Sequence, residues 1–222
     1  MTKPLPWSHS ALEDFLNCGR AYYEKRVAKS VKEQESEAII WGNIVHKAFE
    51  NYIAHGTELP PDLADHKPYL DRLKAHPGER SAELKIALDN TLKPCHSFAP
   101  NVWFRGVIDL DIDDGDRALL ADYKTGKPHN KKEQLQLFAI YKFHASPDIQ
   151  VVDTQYYWTQ TRSVTGQRYV RSDLQTLWAG FIPKLKAYKA AFDTDTWTPK
   201  PSGLCGWCPV EKCEFWRPRR KK

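Results

Sequence analysis

Between Val107 and Lys124 the chain reads VIDLDIDDGDRALLADYK. Apolar and acidic residues alternate up to a Gly-Asp turn, and a second alternating run closes on Asp-Tyr-Lys. Period-two patterning about a glycine turn specifies an antiparallel hairpin. Residues two apart in a strand share a face, so Asp109 and Asp111 lie together, opposite Ile108 and Leu110, and Asp122 shares a face with Lys124. If Gly115-Asp116 forms the loop, Asp109 stands directly across from Asp122, with Cβ atoms about 5 Å apart. If Asp114-Gly115 forms it, the two are diagonal neighbours on the same face. Either register converges two carboxylates and one ammonium.

Carboxylates that close repel unless a cation lies between them. A divalent ion supplies one, and oxygen ligands suit Mg²⁺ or Mn²⁺. Such an ion polarises a phosphodiester oxygen and lowers the pKa of a bound water, and a lysine two residues on can orient that water. The same spacing also describes an acidic edge hairpin with a surface Asp–Lys pair.

Around the hairpin the pattern is mixed. A first helix begins near Ser8 or Ser10, where Ser10 and Glu13 have capping-box spacing, and breaks at Cys18-Gly19. A second helix spans about Ala38 to Ile53, with Ile44, Val45, Ala48, Phe49 and Tyr52 as its apolar stripe. Residues 55–78 read as loops around a short helix, and residues 82–88 as a strand before the hairpin. Helical period returns over 131–144. Residues 151–158 and 167–170 form a hairpin about 163–166, and a helix capped by Ser172 runs to Phe192 with a kink at Pro183. That order gives a mixed α/β domain covering residues 1–222.

No apolar run approaches the ~20 residues that span a bilayer, and MTKPLPWSHS lacks a signal-peptide core, so a cytoplasmic protein with no membrane partner is expected. The net charge of +5 permits an anionic partner. The terminal RPRRKK is either a solvated tail or a phosphate-contacting arm.

In a reducing compartment, clustered cysteines indicate metal or redox chemistry. Cys205, Cys208 and Cys213 form C-x2-C-x4-C in a Pro- and Gly-rich loop, with Cys18 as a fourth thiol far upstream. Both Zn²⁺ and [4Fe–4S] accept four thiolates. Cys95 has no partner in this scheme.

Gly106-Val-Ile-Asp109 followed by Ala121-Asp-Tyr-Lys-Thr-Gly126 resembles the G-x-x-D…(D/E)-x-K-T-G signature of RecB-like PD-(D/E)XK nucleases. Trp41-Gly-Asn-Ile-Val-His46 resembles their G-x-x-x-H helix, and Gln134-Leu-Gln-Leu-Phe138 their Q-x-x-x-Y motif, with Phe138 in place of Tyr and Tyr141 one turn later. The motifs fall in family order from Ser8 to Cys213. The resemblance implies a restriction-endonuclease-like α/β fold: a mixed central sheet flanked by helices, with N- and C-terminal segments joined at a metal cluster held by elements at about 8–26 and 200–216. It implies His46, Asp109, Asp122 and the Tyr123 carbonyl as ligands of Mg²⁺ or Mn²⁺, with Lys124 and Gln134 completing the catalytic set, and Glu83 as an acid preceding the hairpin. Glu50 is a candidate support for His46. One N-terminal and three C-terminal cysteines resemble the iron–sulfur staple of AddB-like and CRISPR-associated relatives, which favours [4Fe–4S] over zinc. The implied activity is a metal-dependent DNA exonuclease acting on single strands or free ends in recombination, repair or phage DNA metabolism, working with a helicase or recombination protein. The alternatives are a structure-specific endonuclease and a non-catalytic DNA-binding subunit. Trp41, Trp103, Tyr156 and Trp158 are candidates for base stacking, and Lys131, Lys132 and RPRRKK for phosphate contacts.

Overall fold

The computed structural model describes residues 5–32 and 35–218, so the end of the RPRRKK tail, from residue 219, lies outside the described residues. In chain order the elements are α1 (His9–Asn17), α2 (Gly19–Tyr22) continuing into a π-helical turn (Tyr23–Val27), α3 (Glu37–His55), a 3-10 turn (Pro61–His66) and α4 (Lys67–Ala75). Strands β1 (Glu79–Asp89), β2 (Val102–Asp114) and β3 (Arg117–Lys124) follow, then α5 (Glu133–Ala145), β4 (Val151–Trp158), β5 (Ser163–Val170), α6 (Leu174–Ala179) and α7 (Ile182–Asp193). The chain divides into two compact units, one of Met1–Pro6 and Ser36–Trp178, the other of Trp7–Glu35 and Ala179–Lys222.

The first unit is an α/β layer structure about a five-stranded sheet in sequential order β1 to β5. All pairings are antiparallel except β3 with β4. That parallel pair needs a crossover, which α5 supplies. The β2–β3 register places Leu110 opposite Ala121 and Asp114 opposite Arg117, so the loop is Gly115-Asp116, with Gly115 at φ +70°. This is the first of the two registers that the pattern allowed. One face of the hairpin, with Leu110, Ile112, Ala121 and Tyr123, packs with Val45, Phe49 and Tyr52 of α3 in a single core. On α5, Lys142 meets the other face through Asp111 and Asp113.

Helix α3 is longer than its periodicity suggests because both ends are capped. Ser36 Oγ accepts from the Ile39 amide at 3.3 Å, and Gly56 takes φ +69° after the last turn. Its stripe differs too: Val45, Phe49 and Tyr52 are buried, but Ile44 is exposed. At the N-terminus Ser8 caps α1, its Oγ accepting from the Ala11 amide, so the Ser10–Glu13 box is not used. The final hairpin turns at 159–162, and residues 163–166 belong to β5. Helix formation after Ser172 breaks at Gly180-Phe181, with Pro183 in the first turn of α7, a position where its missing N–H costs nothing.

In the second unit, Phe15, Tyr22, Tyr188, Phe192 and Trp197 pack as an aromatic cluster. Gly19 opens α2 where a Cβ would lie 2.9 Å from the Thr198 carbonyl oxygen, a contact no larger residue tolerates. Among the described residues no helix is long and apolar enough to cross a membrane.

Candidate active site

Strands β2 and β3 part company just beyond the Leu110–Ala121 pair. There the Asp109 carboxylate accepts from the Tyr123 backbone N–H at 2.6 Å, taking an amide that the strand ladder would otherwise use. Its other oxygen lies 3.2 Å from His46 Nδ1 on α3. Glu83 of β1 approaches the same ring nitrogen at 3.9 Å. Ligand atoms of His46, Glu83 and Asp109 all lie within 4.8 Å of one another. The group opens on a cleft whose lining includes Ile39, Gly42, Asn43, His46, Glu83 and Thr125.

Glu83 reaches this point by an unusual route. The β1–β2 register keeps its offset from Ala82–Leu110 to Leu84–Ile108 but skips the pair between them, and there Glu83 takes φ +51°. A left-handed conformation at a non-glycine residue inside a strand costs about 1–3 kcal/mol. Propensity arguments carry no signal for it, and only the resemblance singled out this acid.

Asp122 and Lys124 project together from β3, as the period-two reading requires. Gln134, in the first turn of α5, ties them: its Oε1 accepts from Lys124 Nζ at 2.9 Å and its Nε2 donates to Asp122 Oδ1 at 2.8 Å. Lys124 Nζ also lies 2.5 Å from Asp122 Oδ2, so Gln134 meets one oxygen of this buried carboxylate and the lysine ammonium the other. Burial pushes the Asp122 carboxyl up to about 7, Lys124 opposing and Asp109 reinforcing the shift. Burial alone would lower the His46 pKa, but hydrogen bonds to Asp109 and Glu83 and the nearby charge of Asp122 raise it to about 10.

A second ionic group lies further along β2. Lys142 of α5 is buried, with its Nζ 2.8 and 3.0 Å from the two Asp111 oxygens and 2.8 Å from Asp113. Asp111, two residues along β2 from Asp109, is thus balanced by an internal cation. The pattern reading passed over Lys142, which hides inside an apolar helix. Burial and the nearby charge of Asp111 raise the Tyr141 pKa, with Lys142 opposing. Glu50 pairs with Lys47 at 2.8 Å. Tyr156 and Trp158 are core residues, lying under Lys124 and His129, and Trp103 packs on Trp178. Of the four aromatics expected to stack on bases, Trp41 is the exposed one. Lys132 is turned to Gly166 and Gln167.

In the second unit, Cys18, Cys205, Cys208 and Cys213 line one pocket. The Lys200 amide donates to Cys18 Sγ at 3.4 Å and the Ser202 amide to Cys205 Sγ at 3.3 Å.

No curated protein matches the sequence. Among solved structures, the crystal structure of SSO0001 is 13% identical, aligned over 98% of this chain and 89% of that one, with a TM-score of 0.45. The sequence model of the PD-(D/E)XK nuclease superfamily matches residues 6–85 and 68–213, nearly the whole chain. Members of that superfamily are nucleases that use divalent metals, and this chain, with its mixed sheet and flanking helices, belongs to the PD-(D/E)XK nuclease superfamily.

Proposed function

We propose that the protein is a Mg²⁺- or Mn²⁺-dependent DNA exonuclease of the RecB-like type, acting on single strands or DNA ends. The observation that carries this reading is the group of His46, Glu83 and Asp109, whose ligand atoms all lie within 4.8 Å of one another, with the buried Asp122 carboxylate near enough to feel the charge of Asp109. Carboxylates that close repel, and a divalent cation among them offsets that cost. The surrounding donors, carboxylate oxygens and one imidazole, suit Mg²⁺ or Mn²⁺.

We assign His46, Asp109, Asp122 and the Tyr123 carbonyl as ligands, and add Glu83. Bound there, the ion would polarise the phosphodiester and acidify the attacking water. Lys124 holds its ammonium beside the Asp122 carboxylate, where it orients that water and offsets charge developing on the phosphate. Gln134 keeps Lys124 and Asp122 in mutual register.

We assign a [4Fe–4S] cluster to Cys18, Cys205, Cys208 and Cys213. Their shared pocket and the amides aimed at two of the sulfurs support thiolate ligation. On this reading all 222 residues serve one nuclease domain of a cytoplasmic protein, and a helicase or recombination protein that opens duplex ends is its partner class.

The test is incubation of end-labelled linear DNA, single- and double-stranded, with Mn²⁺ or with chelator. Mn²⁺-dependent release of short labelled products is expected. Intact DNA under every metal condition would leave a non-catalytic DNA-binding subunit.

A further inference from the structure

The formal charge is divided unequally between the two units. Trp7–Glu35 and Ala179–Lys222 together carry fifteen Lys and Arg against nine Asp and Glu, a net of +6, whereas the rest of the chain carries eighteen against nineteen. The unit bearing the acidic site is therefore close to neutral and has no long-range attraction for a polyanion. Arg219, Arg220, Lys221 and Lys222 lie outside the described residues, and the described part of the cysteine-bearing unit carries eleven Lys and Arg against eight Asp and Glu, still the more positive of the two.

On that unit the cysteine loop exposes two large apolar side chains, Leu204 at 71% and Trp207 at 63%. Both belong to the turn around Cys205–Trp207. Cations of the same segment are held by backbone carbonyls, with no ion pair among the described residues. Lys200 Nζ donates to the Leu16 carbonyl at 3.1 Å, and Arg217 donates to the carbonyls of Glu214 and Trp216. Backbone carbonyls fix these groups in place but leave their charge available, and Lys212 is exposed on the same segment. Glu211 and Glu214 are exposed there too, so a phosphate must be met at particular cations and not by a uniform field.

We infer that the cysteine loop is a docking surface for an unpaired DNA strand, with bases against Trp207 and Leu204 and phosphates at Lys200, Lys212 and Arg217. An indole face and a leucine side chain can meet base faces only where the bases are unpaired, since pairing and stacking hide them in a duplex. Cations alone would take either form of DNA. The inference rests on the nuclease reading and adds a capture surface remote in sequence from the acidic site.

The test uses the full chain, purified without oxygen, with Asp122→Asn to prevent turnover, and reads fluorescein-labelled oligo(dT) binding by anisotropy over a range of KCl. Trp207→Ala combined with Leu204→Ala should weaken binding about tenfold or more, as loss of one stacking platform does. Trp207→Phe should restore most of it, and an abasic oligomer of equal length should bind both proteins alike. Neutralising Lys200, Lys212 and Arg217 to Gln should flatten the slope of log K against log salt by about 2, from roughly 0.7 per phosphate contact. Unchanged oligo(dT) binding by Trp207→Ala/Leu204→Ala overturns the inference, as does an equal loss on the abasic strand. The parent nuclease reading is judged separately, by hydrolysis of thymidine 5′-(p-nitrophenyl phosphate), too small to need the loop. That hydrolysis should be equal with and without Trp207.

Discussion

The Tyr123 backbone N–H donates to the Asp109 carboxylate at 2.6 Å, next to the last hairpin pair, Leu110 with Ala121. One side chain thereby ends a strand ladder and fixes its own orientation, leaving its second oxygen toward His46. The two halves of this role are separable. Asp109→Asn keeps a carbonyl oxygen for the Tyr123 amide but loses the charge; Asp109→Ala loses both. Asparagine should therefore melt close to wild type while metal-dependent cleavage falls at least about 100-fold. Alanine should lose about 1–3 kcal/mol more, the cost of a buried amide left unpaired. Urea melts of the three proteins, read beside cleavage rates, check the split; equal stability of the two variants would mean that the amide bond contributes nothing.

Lys124 and Gln134 act as one assembly in this geometry, since the glutamine touches both Lys124 and Asp122. Asp122→Ala and Lys124→Ala should each abolish cleavage with the fold intact. Gln134→Ala should lower kcat by a smaller factor, on the order of 10–100, and should have little further effect on a Lys124→Ala background. Additive losses in that double-mutant cycle would show that Gln134 works elsewhere, on the scissile strand for example.

The hairpin was legible because its chemistry and its period coincide: with Asp and Ile alternating about a glycine, either two-residue turn brings Asp109 to Asp122, and only an odd-residue loop without a bulge would separate them. Helix α3 was legible for the same reason, and its N-cap at Ser36 only sharpened the boundary. Glu83 was not, because the left-handed turn at this residue is imposed by tertiary packing against a preference that local sequence expresses. Ile44 was misplaced because helical period identifies an apolar stripe without saying where the neighbouring core ends. Lys142 escaped notice since its partners, Asp111 and Asp113, lie about thirty residues upstream.

Both unusual titrations at the site point the same way in metal-free protein. Asp122, raised to about 7 from a carboxyl value near 3.8, holds more protons folded than unfolded, so stability falls as pH rises from about 4 to 7. His46, raised from 6.5 to about 10, gives stability that is complete below pH 6.5 and lost as pH climbs through 10. Chelated protein should thus melt at a progressively lower temperature from pH 6 to pH 9. Mn²⁺ competes with the protons on His46 and Asp122, so its stabilising effect should grow over the same range. A metal-independent, flat profile would mean that neither group is coupled to the ion.

The cysteine centre has a direct chemical readout. Protein purified without oxygen should be brown and contain iron with acid-labile sulfide, and Cys205→Ser or Cys208→Ser should lose both and unfold at lower temperature. A cluster bridging Cys18 and Cys205 would close a long loop and restrict the unfolded chain, so its stabilising effect would come mostly through that state. Stoichiometric zinc in a colourless, stable protein would replace the cluster with a zinc site, and neither metal would remove both.

A preference for DNA ends is what the proposed exonuclease reading expects. His46, Glu83 and Asp109 sit where α3 approaches the hairpin, with Gly42 so near Thr125 that a Cβ there would come within 3.4 Å of its hydroxyl. A strand end can feed into such a cleft, whereas a continuous circle must be drawn in as a loop of two strands. Linear single-stranded DNA should therefore be degraded at least about tenfold faster than a covalently closed circle of the same sequence, a difference of roughly 1.4 kcal/mol in the barrier. Mn²⁺ and salt must be identical in the two arms, because phosphate contacts weaken steeply with salt. Equal rates on the two substrates would show that the enzyme cuts internally, and the exonuclease assignment would then give way to a structure-specific endonuclease using the same residues.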